Sequence, residues 1–148
     1  MASKVQVVEF ELGDRVLATR IENVREIVEK SDPTNIPNTP DSVEGVINLR
    51  GETATLLNPK PVLEIEESSG EGRILVVEDE DNTGILVDSV NEVYEVDQGD
   101  IEDTEKFDEE ELSEAVYRSD KANTDEYIII VDISRLKDRI TEETKVQT

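Results

Sequence analysis

Two stretches of this chain read alike: "VVEFELGDRVLATRIENVREIV" (residues 7–28) and "VVEDEDNTGILVDSVNEVYEV" (residues 76–96). Each runs strand, turn, strand, polar pair, then Val-x-Glu-Ile or Val-x-Glu-Val, and Val7 stands as far from Val24 as Val76 from Val93. Self-similarity at a fixed offset marks a duplicated supersecondary unit. In the first copy Val8, Phe10 and Leu12 alternate with Glu9 and Glu11, the two-residue period of a strand with one wet face. Ile21, Val24 and Val28 have helical spacing in a β-branched setting, which predicts a short helical turn running into a strand. A lobe of roughly 60 residues is marginal alone. The reading is therefore one domain over 1–148, with lobes at about 12–65 and 73–135 that share a core. Many short strands with little helix point to an all-β fold of small barrels, which hide their edges.

The segments between the copies follow from their punctuation. "SDPTNIPNTPD" carries Pro33, Pro37 and Pro40 and reads as an irregular connection. "DSVEG" predicts one turn of helix capped by Asp41. "EGVINLRGETATLLN" (44–58) predicts a hairpin with a two-residue turn at Arg50-Gly51. Residues 66–72 read as an exposed loop, and 97–126 as acidic loops with a short helix around "DEEELSEAV". "EYIIIVDI" predicts a buried strand. "ISRLKDRI" opens a C-terminal helix with Ile133, Leu136 and Ile140 on one face.

Composition limits the chemistry. The 148 residues hold 38 acidic against 15 basic side chains, a net charge of −23. A phosphate backbone needs a basic patch, so nucleic acid is excluded as a partner, and anionic membrane surfaces are disfavoured for the same reason. Carboxylate excess with few lysines and few aromatics is read as adaptation to a salty cytoplasm, where salt screens self-repulsion. With no histidine and no cysteine, neither a Ser-His-Asp nor a Cys-His centre is possible. No phosphate-cradling GxxxxGK loop occurs. The N-terminus lacks a signal-peptide pattern, and no apolar run reaches the ~20 residues of a membrane span. "DEDNTG" (79–84) places Asp79, Asp81, Thr83 and Gly84 like the start of a calcium loop, but the twelfth position is Val90 instead of a bidentate glutamate. It reads as a hairpin turn, with Asn82 and Gly84 supplying positive φ. An acidic ion-binding protein remains an alternative, with calcium-dependent stabilisation as its mark.

Arg50 sits at a hairpin tip, isolated in sequence from other basic groups, with Asn48 on the same side of the strand and Ile47 and Leu49 on the other. Arginine beside aliphatics is compatible with an interface hot spot. "VEGVINLRGETATLLN" resembles the signature of the CheW family, the coupling proteins of chemotaxis. The resemblance extends through the Ile-x-x-Val-x-Glu-Ile segment at 21–27, "IPNTPDSVEGVINLRG", "GILVDSVNEV" and the closing "EYIIIVDISRL". It implies two small five-stranded, SH3-like β-barrels packed on a shared core, with short helices including a C-terminal one. It also implies no enzymatic activity and no cofactor. The implied role is a cytoplasmic bridge, peripheral to receptor arrays at the membrane. Its partners would be the tips of methyl-accepting receptors and the regulatory domain of the histidine kinase CheA. A CheV-like or paralogous adaptor serving another receptor subset is the alternative. Carried over position by position, Arg50, Asn48 and Gly45 match the signature, and Val24 and Glu26 match a receptor-contact segment. A groove lined by Val24, Ile27, Ile47, Leu86 and Val87, beside Leu49, would take a helical tip, with Arg50 and Glu26 setting register. "TLLNPK" departs from the family pattern at Thr55, Asn58 and Pro59, and Lys60 keeps only the charge.

Overall fold

The computed structural model describes residues 3–39, 41–66, 72–103, 113–118 and 127–146. The first copy forms β1 (Lys4–Leu12), β2 (Arg15–Arg20), a 3-10 turn (Ile21–Asn23) and β3 (Val24–Glu29). The hairpin stretch gives β4 (Val43–Leu49) and β5 (Glu52–Leu57), followed by the short α1 (Lys60–Leu63). The second copy forms β6 (Arg73–Val77), β7 (Thr83–Val87) and β8 (Ser89–Asp97). β9 (Ile101–Asp103), β10 (Ser113–Arg118), β11 (Tyr127–Val131) and α2 (Ile133–Val146) complete the described elements.

The fold is mostly β, in two sheets of order β8-β1-β2-β11-β10-β9 and β3-β6-β7-β5-β4. The expected lobe division does not follow these sheets. β6 and β7, inside the 73–135 stretch, pair beside β3 and β5, whereas β1 and β2 lie with β8 to β11. The repeat explains this. In each copy the hairpin sits in one sheet and the third strand crosses to the other, so each sheet is completed by the opposite copy. The first sheet also has six strands where five were expected, the sixth being the three-residue β9.

Alternation along the strands sorts the apolar residues into three layers. Val8, Phe10 and Leu12 of β1 meet Leu75 and Val77 of β6, Ile85 and Val87 of β7, and Val24 of β3 between the sheets. Ile133, Leu136 and Ile140 of α2 close this layer, each at most 1% exposed, which is the helix face predicted from spacing. The outer cores are smaller: Val7, Ala18, Val96, Tyr117, Ile128 and Ile130 under the first sheet, and Ile47, Ala54, Leu56, Ile74 and Val76 under the second.

Several local expectations are corrected. The predicted helical turn at "DSVEG" is a turn leading into β4, because Val43 and Gly45 pair with Leu57 and Leu56. The helix expected around "DEEELSEAV" is replaced over its described part by β10, while 104–112 lie outside the described residues. Residues 67–71 of the predicted loop also lie outside them. β11 is half-buried rather than buried: Tyr127 and Ile129 are exposed, Ile128 and Ile130 covered. Only Asn82, not Gly84, takes positive φ in the β6–β7 turn.

A buried ion pair pins the second crossover. Lys60 is 4% exposed, and its Nζ donates to Asp88 Oδ1 at 2.7 Å. Asp88 Oδ2 accepts the Gly13 N–H of the β1–β2 turn at 2.5 Å, and the Asp88 N–H donates to the Glu11 carbonyl at 2.9 Å. The Lys60 N–H in turn donates to Asn58 Oδ1 at 3.0 Å. The "NPK" departure from the family pattern is thus an ordered strand end that places a cation between the sheets. Removing one partner of such a pair leaves a buried charge, at a cost of about 3 kcal/mol or more. Lys60→Ala is expected to lower the unfolding free energy by about that amount, read from denaturant midpoints.

Under the first sheet the hydroxyls of Tyr94 and Tyr117 share a hydrogen bond, and Tyr94 also donates to Glu9 Oε1 at 2.9 Å. Burial, with the Glu9 charge adding to it, pushes Tyr117 up to about 12 despite the lowering effect of its bond to Tyr94. Tyr94 is raised too, by burial and then by its bonds to Tyr117 and Glu9. Stability is at full value below about pH 10, where phenols are neutral in both states. Above that the unfolded chain ionises while the fold resists, so stability falls as pH rises toward and past 12. Unfolding midpoints measured across this range are expected to show the fall, and Tyr117→Phe is expected to flatten it.

Candidate functional site: a hairpin tip beside an open strand edge

β4 and β5 pair from Val43–Leu57 through Leu49–Glu52, leaving Arg50 and Gly51 as the turn. Their φ values are 51° and 87°. Positive φ at both central positions defines a type I′ turn, whose twist matches the flanking strands and which favours Asn-Gly. Arginine at the first position costs on the order of 1 kcal/mol against glycine. Asn48 Oδ1 accepts the Gly51 N–H at 2.9 Å, so the Asn48 side chain secures the turn itself. Arg50, with 82% of its side chain exposed, projects over β3, its Nε 3.6 Å from Glu26 Oε1. β3 is the last strand of its sheet, so its outer backbone edge is unpaired by any described strand. Ile27, 37% exposed, projects from the opposite face of β3 to Glu26. The tip and the edge strand thus bring Arg50 against Glu26, with Ile27 exposed on the other face of β3.

The structure separates the other candidates from this surface. Val24, Ile47 and Val87 are 9%, 5% and 1% exposed, the first and last in the inter-sheet layer and Ile47 in the second sheet's own core. Leu49 and Leu86 are half-buried against that same core. The expected groove of Val24, Ile27, Ile47, Leu86 and Val87 is therefore not an open surface. Strand alternation sends its members to different layers: Ile27 is exposed, Leu86 half-buried, and Val24, Ile47 and Val87 buried. Gly45 has a structural role: its φ is 142°, and a Cβ there would lie 2.2 Å from the Thr34 carbonyl oxygen. Thr34 and Val46 exchange backbone hydrogen bonds at 2.8 and 2.9 Å, which tie the proline-bearing connection to the outer edge of β4 at that point. Only glycine lets the two backbones approach this closely.

Sequence reasoning missed the role of the β6–β7 turn. Lys137 Nζ of α2 lies 2.5 Å from both Asp79 Oδ2 and Asp81 Oδ2, so an ammonium sits where a calcium ion was considered. Among the described residues no group of three or more acidic side chains is placed to hold a metal. Lys137 lies far along the chain from the Asp79 and Asp81 pair, and no local signal joins it to them.

An exposed arginine on a fixed turn, beside an apolar residue and an open strand edge, has the geometry of a protein-docking module. A family model described as a CheW-like domain matches residues 6–140. The chemotaxis protein CheW of Thermotoga maritima is 30% identical over 139 residues, covering 92% of this chain and 89% of that protein. That of Helicobacter pylori is 37% identical over 101 residues, covering 66% of this chain and 61% of that protein. The crystal structure of the scaffolding protein TtCheW from Thermoanaerobacter tengcongensis matches with a TM-score of 0.77 at 30% identity, covering 88% of this chain and 90% of that one. The chain belongs to the CheW-like family, whose members are scaffolds and not enzymes. No helix among the described residues is long and apolar enough to cross a membrane.

Gly45→Ala is expected to lower stability by about 2 kcal/mol or more, since the backbone must leave its positive φ and part from Thr34. Thermal denaturation checks this, with Gly51→Ala as comparison. A Cβ at Gly51 meets nothing within 4 Å, so that variant reports the cost of positive φ alone.

Proposed function

We propose that this chain is a chemotaxis coupling scaffold that joins the cytoplasmic tips of methyl-accepting receptors to the regulatory domain of the kinase CheA. Membership of the CheW-like family supports the class of function, and the Arg50 turn supports the site. Arginine occupies an αL position where asparagine would be more stable, and its side chain is exposed rather than spent on packing. A residue that works against its own turn is explained by a partner. The working surface is Arg50, Glu26 and Ile27, with Asn48 and Gly45 holding the hairpin that presents it. A receptor tip is a helical hairpin in this family. A helix lying along the open edge of β3 would meet Ile27 from one face of the strand and the Arg50–Glu26 pair from the other. The net charge of −23 supports a second element of the reading, adaptation to a salty cytoplasm. In such a medium long-range steering is screened, and Arg50 acts through short, directed hydrogen bonds.

The test is titration in molar potassium chloride against a receptor cytoplasmic fragment and, separately, the kinase regulatory domain. Arg50→Asn is expected to weaken binding to at least one partner by about tenfold or more, the loss typical of a hot spot. Its thermal midpoint is expected to stay level or rise, because Asn-Gly suits the turn. Unchanged affinity for both partners would remove Arg50 from the docking surface. Ile27→Glu is the companion variant and is expected to weaken receptor binding while leaving the fold intact.

A further inference from the structure

The β6–β7 turn is held from three sides, and two of its holders lead to the Arg50 tip. Its sequence places four carboxylates in succession, Glu78 to Asp81. Lys137 of α2 bridges Asp79 and Asp81, and the Asp79 Oδ1 also accepts the Asp81 N–H at 2.9 Å. Arg25 of β3 donates through Nη2 to the Asp79 carbonyl and through Nη1 to Asn82 Oδ1, the latter at 3.0 Å. Its Nε stands 3.7 Å from Glu78 Oε1. Asn82, itself at a φ of 51°, donates through Nδ2 to Glu52 Oε2 at 3.2 Å, and its carbonyl accepts the Thr55 N–H at 3.0 Å.

Glu52 is the residue after the Arg50-Gly51 turn, and Arg25 is the chain neighbour of Glu26, the partner of Arg50. The turn is thus the hub between the C-terminal helix and both supports of the tip, the start of β5 and the edge strand. Lys137 is the cation that lets two carboxylates sit together at that hub. Burial works against its charge, but the bonds to Asp79 and Asp81 outweigh this, and its pKa is raised. Its side chain is only 12% exposed.

We propose that Lys137 is a positioning residue for the docking surface: by holding Asp79 and Asp81 together it fixes Asn82 and Arg25, and through them the place of Arg50 relative to Glu26. This rests on the reading of Arg50 as a partner contact. Without the ammonium, Asp79 and Asp81 repel, the turn opens, and the Asn82–Glu52 bond loses its fixed donor and the Arg25–Asn82 bond its fixed acceptor. Helix α2 then bears on receptor or kinase binding without touching either.

The experiment has two parts on the full chain in molar potassium chloride. In the first, Lys137→Met is compared with the parent by NMR in the absence of partner. The expected result is a shift of the Gly51 amide and Arg50 Nε resonances, restored by Lys137→Arg. Unmoved tip resonances overturn the relay, whatever the partner does. In the second, affinity for the partner that Arg50 serves is measured in a double-mutant cycle. Lys137→Met alone is expected to weaken binding about three- to tenfold, the range found for residues that act at a distance. In the Arg50→Ala background it is expected to change affinity by less than about twofold, because coupled sites are not additive. Equal losses in both backgrounds would reduce Lys137 to a general stabiliser and overturn the proposal. If Arg50→Ala leaves binding unchanged, the docking reading fails, and the NMR comparison still decides whether Lys137 sets the tip.

Discussion

The structure depends on one constraint: neither sheet can bury both of its faces with its own stretch of chain. The inter-sheet layer supplies the missing cover, and it is filled from both copies of the repeat, Val8, Phe10 and Leu12 from one, Val77, Ile85 and Val87 from the other. Because each copy sends its third strand across, separating the two copies would break the β1–β8 and β3–β6 ladders as well as apolar contacts. Unfolding is therefore expected to be a single cooperative event. The Lys60–Asp88 pair sits at one of these crossings. A buried ion pair adds little to stability over well-packed apolar groups, but it penalises any arrangement in which its partners part. Its contribution here is to specify how the β7–β8 crossover meets the β1–β2 turn.

The proposed docking surface is built on the same frame. The hairpin tip is rigid for local reasons: a type I′ turn, the Asn48 bond to Gly51, and Gly45 allowing Thr34 to cover the strand edge. Its direction is set from farther away, by Glu26 on β3 and by Glu52, which reaches Asn82. A charged tip with one exposed aliphatic nearby suits an adaptor, which must hold partners without a deep pocket. At the opposite edge of that sheet Val46 of β4 pairs with Thr34, in the connection carrying Pro33 and Pro37, whereas no described strand pairs with the outer edge of β3.

Much of this was legible in the chain itself. The alternation of Val8, Phe10 and Leu12 with acidic residues gave β1 its face, Arg50-Gly51 gave a two-residue turn, and Ile133, Leu136 and Ile140 gave the buried side of α2. The repeat announced two similar units. The misreadings share a cause. "DSVEG" looked like a helical turn because local capping chemistry was all that could be seen, and pairing with Leu56 and Leu57 overrode it. The five aliphatics do not form one open groove, because strand alternation turns Val24 and Val87 into the inter-sheet layer and Ile47 and Leu86 toward the second sheet's own core.

By itself the sequence determined the repeated hairpins, the Arg50-Gly51 turn, the helix face and the absence of histidine and cysteine chemistry, because these follow from spacing and composition along a single line. It also marked Arg50 as unusual. Only the tertiary structure decided that the two copies exchange strands between sheets, that Val24, Ile47 and Val87 are core while Ile27 is surface, and that Lys60 and Lys137 answer carboxylates far along the chain. Those outcomes depend on which segments meet across space, and short-range spacing carries no record of the pairing.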